Sequence, residues 1–212
     1  MGNKEPELSI VIPCKNEEKY IGKLLSSLEK QSCSIKNVKM FIADANSKDN
    51  TLIEIRKNKK LDIQIVKGGM PSVGRNNGAR LCKSKYILFI DADIELEDKN
   101  ILKNSIELMK KNELCCVTAN IKCKNGNFLD YILFFSNNII KRCSKYILPY
   151  ANGAYMMFES RKFWELKGFD EKINYAEDYF LTKKLKSKEF GIVHGFVYTT
   201  NRRFKKMGYG KT

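Results

Sequence analysis

Two aspartates, Asp91 and Asp93, stand two residues apart at the end of the apolar run Tyr86-Ile-Leu-Phe-Ile90. Residues two apart on an extended strand point to the same side. Both carboxylates can therefore leave the strand end together and share one hard cation. Mg²⁺ or Mn²⁺ held by one or two carboxylates completes its shell with water and phosphate oxygens. The spacing suggests a metal–diphosphate site. The competing reading is a polar loop after a buried strand, with both aspartates facing water.

Strand and helix signals that would position such a site alternate along the first half. Segment 8–12 reads as a strand, and Asn16 then caps a helix whose apolar positions Ile21, Leu24, Leu25 and Leu28 keep a helical period. Segment 39–43 reads as a second strand, followed by a helix from about Asp49. Segment 62–66 reads as a third strand, Ser72 caps a helix to about Cys82, and 86–90 is the fourth strand. Such alternation builds βαβ units around a mainly parallel sheet. Ligands gather at the carboxyl ends of its strands. Asp44 and Asp91 both fall at such ends, on one rim. The second half is less regular, with helices over 98–111, 128–142 and 177–188 and strands over 114–123, 155–159 and 192–200. The fold class expected is α/β with a mixed sheet flanked by helices.

The 212 residues, 43% of them hydrophobic, suffice for one domain with a real core and are too few for two. No linker or repeat divides them, so a single domain over 1–212 is expected. Lys plus Arg total 39 and Asp plus Glu 24, a formal charge of +15. Such a surface attracts nucleic acid, anionic membrane or phosphorylated substrates. Many lysines sit in helix-like segments and form a solvated face. Arginines are the better phosphate ligands, because their forked donors match phosphate oxygens. Seven cysteines without a C-x-x-C pair, and a single histidine, His194, argue against a zinc site. They suit small core residues in a reducing compartment, so a cytoplasmic protein is expected, at most resting on the cytoplasmic face of a membrane. No apolar stretch is long enough to span a bilayer.

Four segments line up in order: Ser9-Ile-Val-Ile-Pro-Cys-Lys-Asn-Glu17, Ala43-Asp-Ala-Asn-Ser-Lys-Asp-Asn-Thr51, Gly74-Arg-Asn-Asn-Gly-Ala79 leading to Asp91-Ala-Asp93, and Gly168-Phe-Asp-Glu171 leading to Ala176-Glu-Asp-Tyr-Phe-Leu181. Together they resemble the family 2 glycosyltransferases, inverting enzymes of the GT-A fold, over about residues 8–209. The resemblance implies a nucleotide-diphosphate-sugar donor (UDP being the commonest choice), a divalent cation, Mn²⁺ or Mg²⁺, and inversion at the anomeric carbon. It implies a nucleotide-sugar-binding half over about 8–95 and an acceptor-binding half beyond. Asp44 matches the aspartate that meets the base or ribose; its alternative role is capping the next turn, for which Asp49 is an equal candidate. Pro13, Asn16, Glu17 and Ala92 fall in the donor-side segments. Asp93 matches the direct metal ligand, with Asp91 on the metal or the ribose. Glu95 joins only if the strand stays extended.

Arg75 is either a donor contact or a salt-bridge partner of a strand-end aspartate. Arg202 and Arg203 resemble a basic motif that holds the diphosphate. Asp178 matches the catalytic base that takes the acceptor proton, with Glu177 orienting a neighbour. Gly153 and Glu177 are placed on the acceptor side. His194 reads as structural.

The acceptor expected is a saccharide or a lipid-linked group. Phe128-Leu-Asp-Tyr-Ile-Leu-Phe-Phe135 and Asn137-Asn-Ile-Ile-Lys-Arg142 form either a core helix covering the sheet or an interfacial helix. In the second case Lys141, Arg142 and Lys145 face lipid phosphate. Two rival functions remain. A nucleotidyltransferase acting on sugar phosphates also pairs aspartates around a metal, but it would carry a glycine-rich phosphate loop where Pro13-Cys-Lys-Asn-Glu17 stands. A basic nucleic-acid-binding or anion-binding domain fits the charge alone. No specific nucleic-acid partner is expected, because the acidic strand-end motifs argue against it.

Overall fold

The computed structural model describes residues 6–202 apart from 34 and 174. Seven strands form one sheet: β1 (Leu8–Cys14), β2 (Lys39–Asp44), β3 (Asp62–Lys67), β4 (Tyr86–Ile90), β5 (Cys116–Cys123), β6 (Tyr155–Glu159) and β7 (Phe190–Thr199). Their order is β3-β2-β1-β4-β6-β5-β7. β1 is parallel to both β2 and β4, β2 to β3 and β5 to β7, whereas β6 is antiparallel to both neighbours. The expected mixed α/β sheet is therefore present. Ile10, Val11 and Ile12 of β1 are all buried, as an unbroken apolar run should be in a parallel strand covered on both faces.

Helices α1 (Ile21–Glu29), α2 (Thr51–Lys57), α3 (Pro71–Ala79), α4 (Ile101–Asn112), α5 (Phe128–Ile147), α6 (Ser160–Glu165) and α7 (Glu177–Thr182) surround it. Ile21, Leu24, Leu25 and Leu28 of α1 join Ile101, Leu102 and Met109 of α4 in one core layer. The opposite layer gathers Ala79 of α3, Phe163 of α6, Leu181 of α7 and Phe169 from the loop between them. There Phe89 of β4 meets Phe163 and Phe169, each at 5.0 Å between ring centroids.

Several local expectations are corrected. Asn16 does not cap α1, which begins five residues later; Asn16 sits at φ 56° in the β1–α1 loop. Ser72 lies inside α3, whose first turn is set by Pro71, the residue best suited to a first helical position. The helix expected over 177–188 stops at Thr182, and α6, a single short helix, had no expected counterpart.

The largest correction concerns α5. It runs to Ile147 and lies against the sheet, but its fully buried residues are polar, Asp130, Asn138 and Lys141, and Phe134 is only partly buried against the core. The reason lies in the register. β6 pairs with β5 only at Cys116, Val117 and Thr118, so the following backbone groups on that edge need other partners. Lys141 Nζ donates to Ala119 O at 2.6 Å. Asn138 accepts from Ile121 N at 2.9 Å and donates to Ile121 O at 2.7 Å. The helix acts as a substitute strand through its side chains; Phe134 is partly buried against the core, while Phe128, Ile132, Phe135 and Ile139 are left outside.

Candidate active site

Parallel pairing sets the carboxyl ends of β1, β2 and β4 side by side. Cys14 pairs with Asp44, and Asp91 directly follows the last residue of β4. The loops leaving β1 and β2 are joined side by side. Asn16 N donates to Ser47 Oγ at 2.9 Å, Lys48 N to Asn16 Oδ1 at 2.8 Å and Glu17 N to Thr51 Oγ1 at 2.7 Å. Asp44 organises the turn after β2, accepting from Ser47 N at 3.1 Å and Ser47 Oγ at 2.5 Å. Asp49 instead serves the start of α2, accepting from Thr51 N at 3.0 Å. Gly68, at the end of β3, lies against the same turn. A Cβ there would sit 2.5 Å from the Asp44 carbonyl carbon, so only glycine lets the strands approach so closely. Ser47 and Thr51 lie in the segment that follows β2, but neither they nor Gly68 carried an assigned role in the sequence.

Asp91 and Asp93 are each tied to an arginine. Arg75, on α3, is buried and donates from Nη2 to Asp91 Oδ1 at 2.7 Å and from Nη1 to Glu177 Oε1. The salt bridge to a strand-end aspartate is thus the contact made, and Glu177 is its second partner. Burial works against the Arg75 charge, but Asp91, Glu177 and Asp178 outweigh it and hold the guanidinium protonated. Arg202 donates to both oxygens of Glu17, at 2.7 and 2.6 Å, and to Asp93 Oδ2 at 3.0 Å. Burial raises the pKa of Glu17 and of Asp93 above the ordinary carboxylate range; the charge of Asp91 adds to both, and Arg202 opposes. Ala92 is buried between the two aspartates.

Asp178 sits in the first turn of α7, after Ala176, which takes a left-handed backbone at φ 57°. Its Oδ2 accepts from Gly153 N at 2.6 Å and its Oδ1 from Tyr179 N at 2.7 Å. The carboxylate is therefore fixed in direction. Burial pushes its pKa up, while the Arg75 charge pulls it down. Gly153 does more than donate: a Cβ there would lie 2.1 Å from Arg75 Nη2, so its bare backbone makes room for the guanidinium. Asn76 holds the preceding loop, accepting from Phe169 N at 3.1 Å and donating to Phe169 O at 2.8 Å. Its place in Gly74-Arg-Asn-Asn-Gly78 was the only sequence signal for that clamp.

Of the remaining candidates, Glu95 lines the same cleft as Asp93 and pairs with Lys124. His194 is exposed on β7. Arg203 lies outside the described residues. Among the described residues no group of three His, Cys, Asp or Glu side chains has metal-site geometry. Two adjacent carboxylates nevertheless fit Mg²⁺ or Mn²⁺ of the kind that takes most of its shell from water and a bound diphosphate. They do not fit an all-protein cage.

Residues 9–167 match the family model for glycosyl transferase family 2. The chain is 26% identical over 201 residues to a poly(ribitol-phosphate) beta-glucosyltransferase of Bacillus spizizenii, covering 91% of this chain and 32% of that protein. It spans about a third or less of the length of the curated relatives it matches. Among solved structures, Staphylococcus aureus TarS 1–349 in complex with UDP superposes with a TM-score of 0.72 at 20% identity, over 94% of this chain and 62% of that one. Mannosyltransferase PcManGT of Pyrobaculum calidifontis, in complex with GDP-Man and Mn²⁺, gives 0.75 at 16% identity, over 93% and 58%. The fold shared with both is the GT-A fold.

Proposed function

The chain belongs to glycosyltransferase family 2, and from that premise we propose that it moves a hexosyl or N-acetylhexosaminyl group from a nucleotide-diphosphate-sugar to an acceptor, with inversion. The observation that carries this reading is Arg75. One buried guanidinium joins Asp91, beside the donor-side strand ends, to Glu177, the neighbour of Asp178. Donor-side and acceptor-side carboxylates thereby share one rim.

In this reading the halves divide near residue 95. Asp44 and the joined loops of Pro13, Asn16 and Glu17 receive the base and ribose. Asp93, with Asp91, would hold Mn²⁺ or Mg²⁺, and Arg202 and Arg203 would bind the diphosphate. The cation, when bound, neutralises charge on the departing nucleoside diphosphate. The acceptor oxygen attacks the anomeric carbon while the bond from that carbon to the diphosphate oxygen breaks. Asp178 takes the hydroxyl proton, for which its raised pKa suits it. Glu177 and Gly153 hold Asp178 and Arg75 in place. UDP is the donor nucleotide favoured here, since TarS is seen with UDP. The acceptor is a saccharide, polyol-phosphate or lipid-linked group, in polysaccharide or glycolipid synthesis. The seven free thiols suit a cytoplasmic setting.

The test is Asp178→Asn. Transfer should fall by about 10²–10⁴-fold with nucleotide affinity unchanged. A variant as active as the parent removes Asp178 from the role of base.

A further inference from the structure

The outward face of α5 is an apolar strip with a cationic border. Phe128, Ile132, Phe135, Ile139 and Tyr146 recur at helical spacing and are all exposed, Phe135 at 66%. The strip is about 27 Å long at 1.5 Å per residue. It faces outward because the inner face is committed to the β5 edge through Asn138 and Lys141. A rotation about the helix axis would bury the strip only by stranding those backbone groups.

The border identifies what covers it. The only acidic residue of α5, Asp130, is buried at its first turn, and Arg142 is exposed on it. Lys186 and Lys188 are exposed beside its last turn, where Ser187 Oγ donates to Tyr146 O at 3.1 Å. Apolar groups edged by cations match the acyl and phosphate layers of an anionic lipid surface. The formal charge of +15 works against a second copy of the chain on this face. Among the described residues no helix is long and apolar enough to cross a membrane, so α5 would lie along the surface.

We propose that α5 docks the protein on an anionic bilayer and so brings a lipid-anchored acceptor to Asp178; the acceptor clause rests on the transfer reading above, the docking clause does not. The chain leads directly from one to the other. Beyond Ile147, Tyr150 packs edge-on against Tyr179 at 6.1 Å, and Gly153 binds Asp178. Lys141 is not one of the lipid-facing cations, because it is fully buried.

Flotation of the full chain with phosphatidylcholine vesicles, with and without phosphatidylglycerol, tests this. The expected result is binding to the anionic vesicles that weakens as salt rises. The double variant Phe135→Glu, Ile139→Glu should weaken it about tenfold or more. Both positions are exposed, so the variant should keep its melting temperature and its nucleotide response. No flotation at low salt, or flotation unaltered in the variant, overturns the proposal. A solution dimer that the variant dissociates, without lipid binding, assigns the face to a second copy and also overturns it. Flotation by a protein that binds no nucleotide sustains docking and removes the acceptor clause. Nucleotide binding without flotation overturns docking and leaves the transfer reading standing.

Discussion

Helices α1 and α5 belong to the same sheet and bury opposite kinds of side chain. α1 turns Ile21, Leu24, Leu25 and Leu28 inward, whereas α5 turns Asp130, Asn138 and Lys141 inward and leaves Phe135 and Ile139 outside. The strands beneath them explain the difference. In the first half β1 lies between β2 and β4 with a parallel partner on each side, and α1 meets this layer with apolar side chains. In the second half β6 covers only part of the β5 edge, and the helix must supply hydrogen bonds. A helical hydrophobic pattern shows which face meets something apolar; it does not show that this face meets the core.

Arg75 ties Asp91 of the first half to Glu177 of the second, and its loss should do the most damage. Arg75→Ala leaves Glu177 buried beside Asp91 and Asp178 without a cation. It should cost about 3–5 kcal/mol by chemical denaturation, the range for breaking a buried pair. A loss under about 1 kcal/mol would mean that the halves hold together without it.

The contrast between the helices is itself measurable. Leu24→Ala should cost about 2–5 kcal/mol, while Ile139→Ala on α5 should stay within about 0.5 kcal/mol. Equal losses would show that α5 is covered in the folded protein and would break the contrast.

The buried lysine should give α5 a pH signature that α1 lacks. Burial lowers the pKa of Lys141 from 10.5 to about 7, the charge of Asp178 opposing. Between those values the unfolded chain binds the proton and the folded one does not. Stability should therefore rise as pH increases through that window. Lys141→Met should remove this rise; a slope unchanged in the variant would place the titrating group elsewhere.

A smaller effect concerns Asp178 in its proposed role as base. Burial raises the Asp178 pKa, and a base works only when deprotonated. The acid limb of kcat/KM should therefore lie above the ordinary aspartate value. A limb at or below that value would contradict the buried environment described here.

The first half was legible because its strands and helices announce themselves by period. Leu8–Cys14 and Tyr86–Ile90 are short apolar runs, α1 repeats at helical spacing, and strand ends place Asp44 and Asp91 on one rim. What was hidden depends on register or on distant partners. The inward Asn138 and Lys141 make sense only once β6 is known to stop opposite Thr118. Glu177 is 102 residues from the arginine it binds, and no local pattern connects them. The sequence places Gly153 on the acceptor side, but its role in making room for Arg75 shows only in three dimensions. The Asn16 and Ser47 loops lie in two segments singled out in the sequence, but nothing in either segment shows that they bond to each other.

The most direct measurement is a thermal-shift panel of UDP, GDP, CDP and their sugar conjugates, with and without Mn²⁺, on the parent and on Asp93→Ala. One nucleotide series should stabilise the parent by about 5–10 °C at a hundred times its Kd, only with the metal, and should fail to do so in the variant. No shift with any nucleotide, or a shift that ignores both Mn²⁺ and Asp93, would contradict a donor site at this rim.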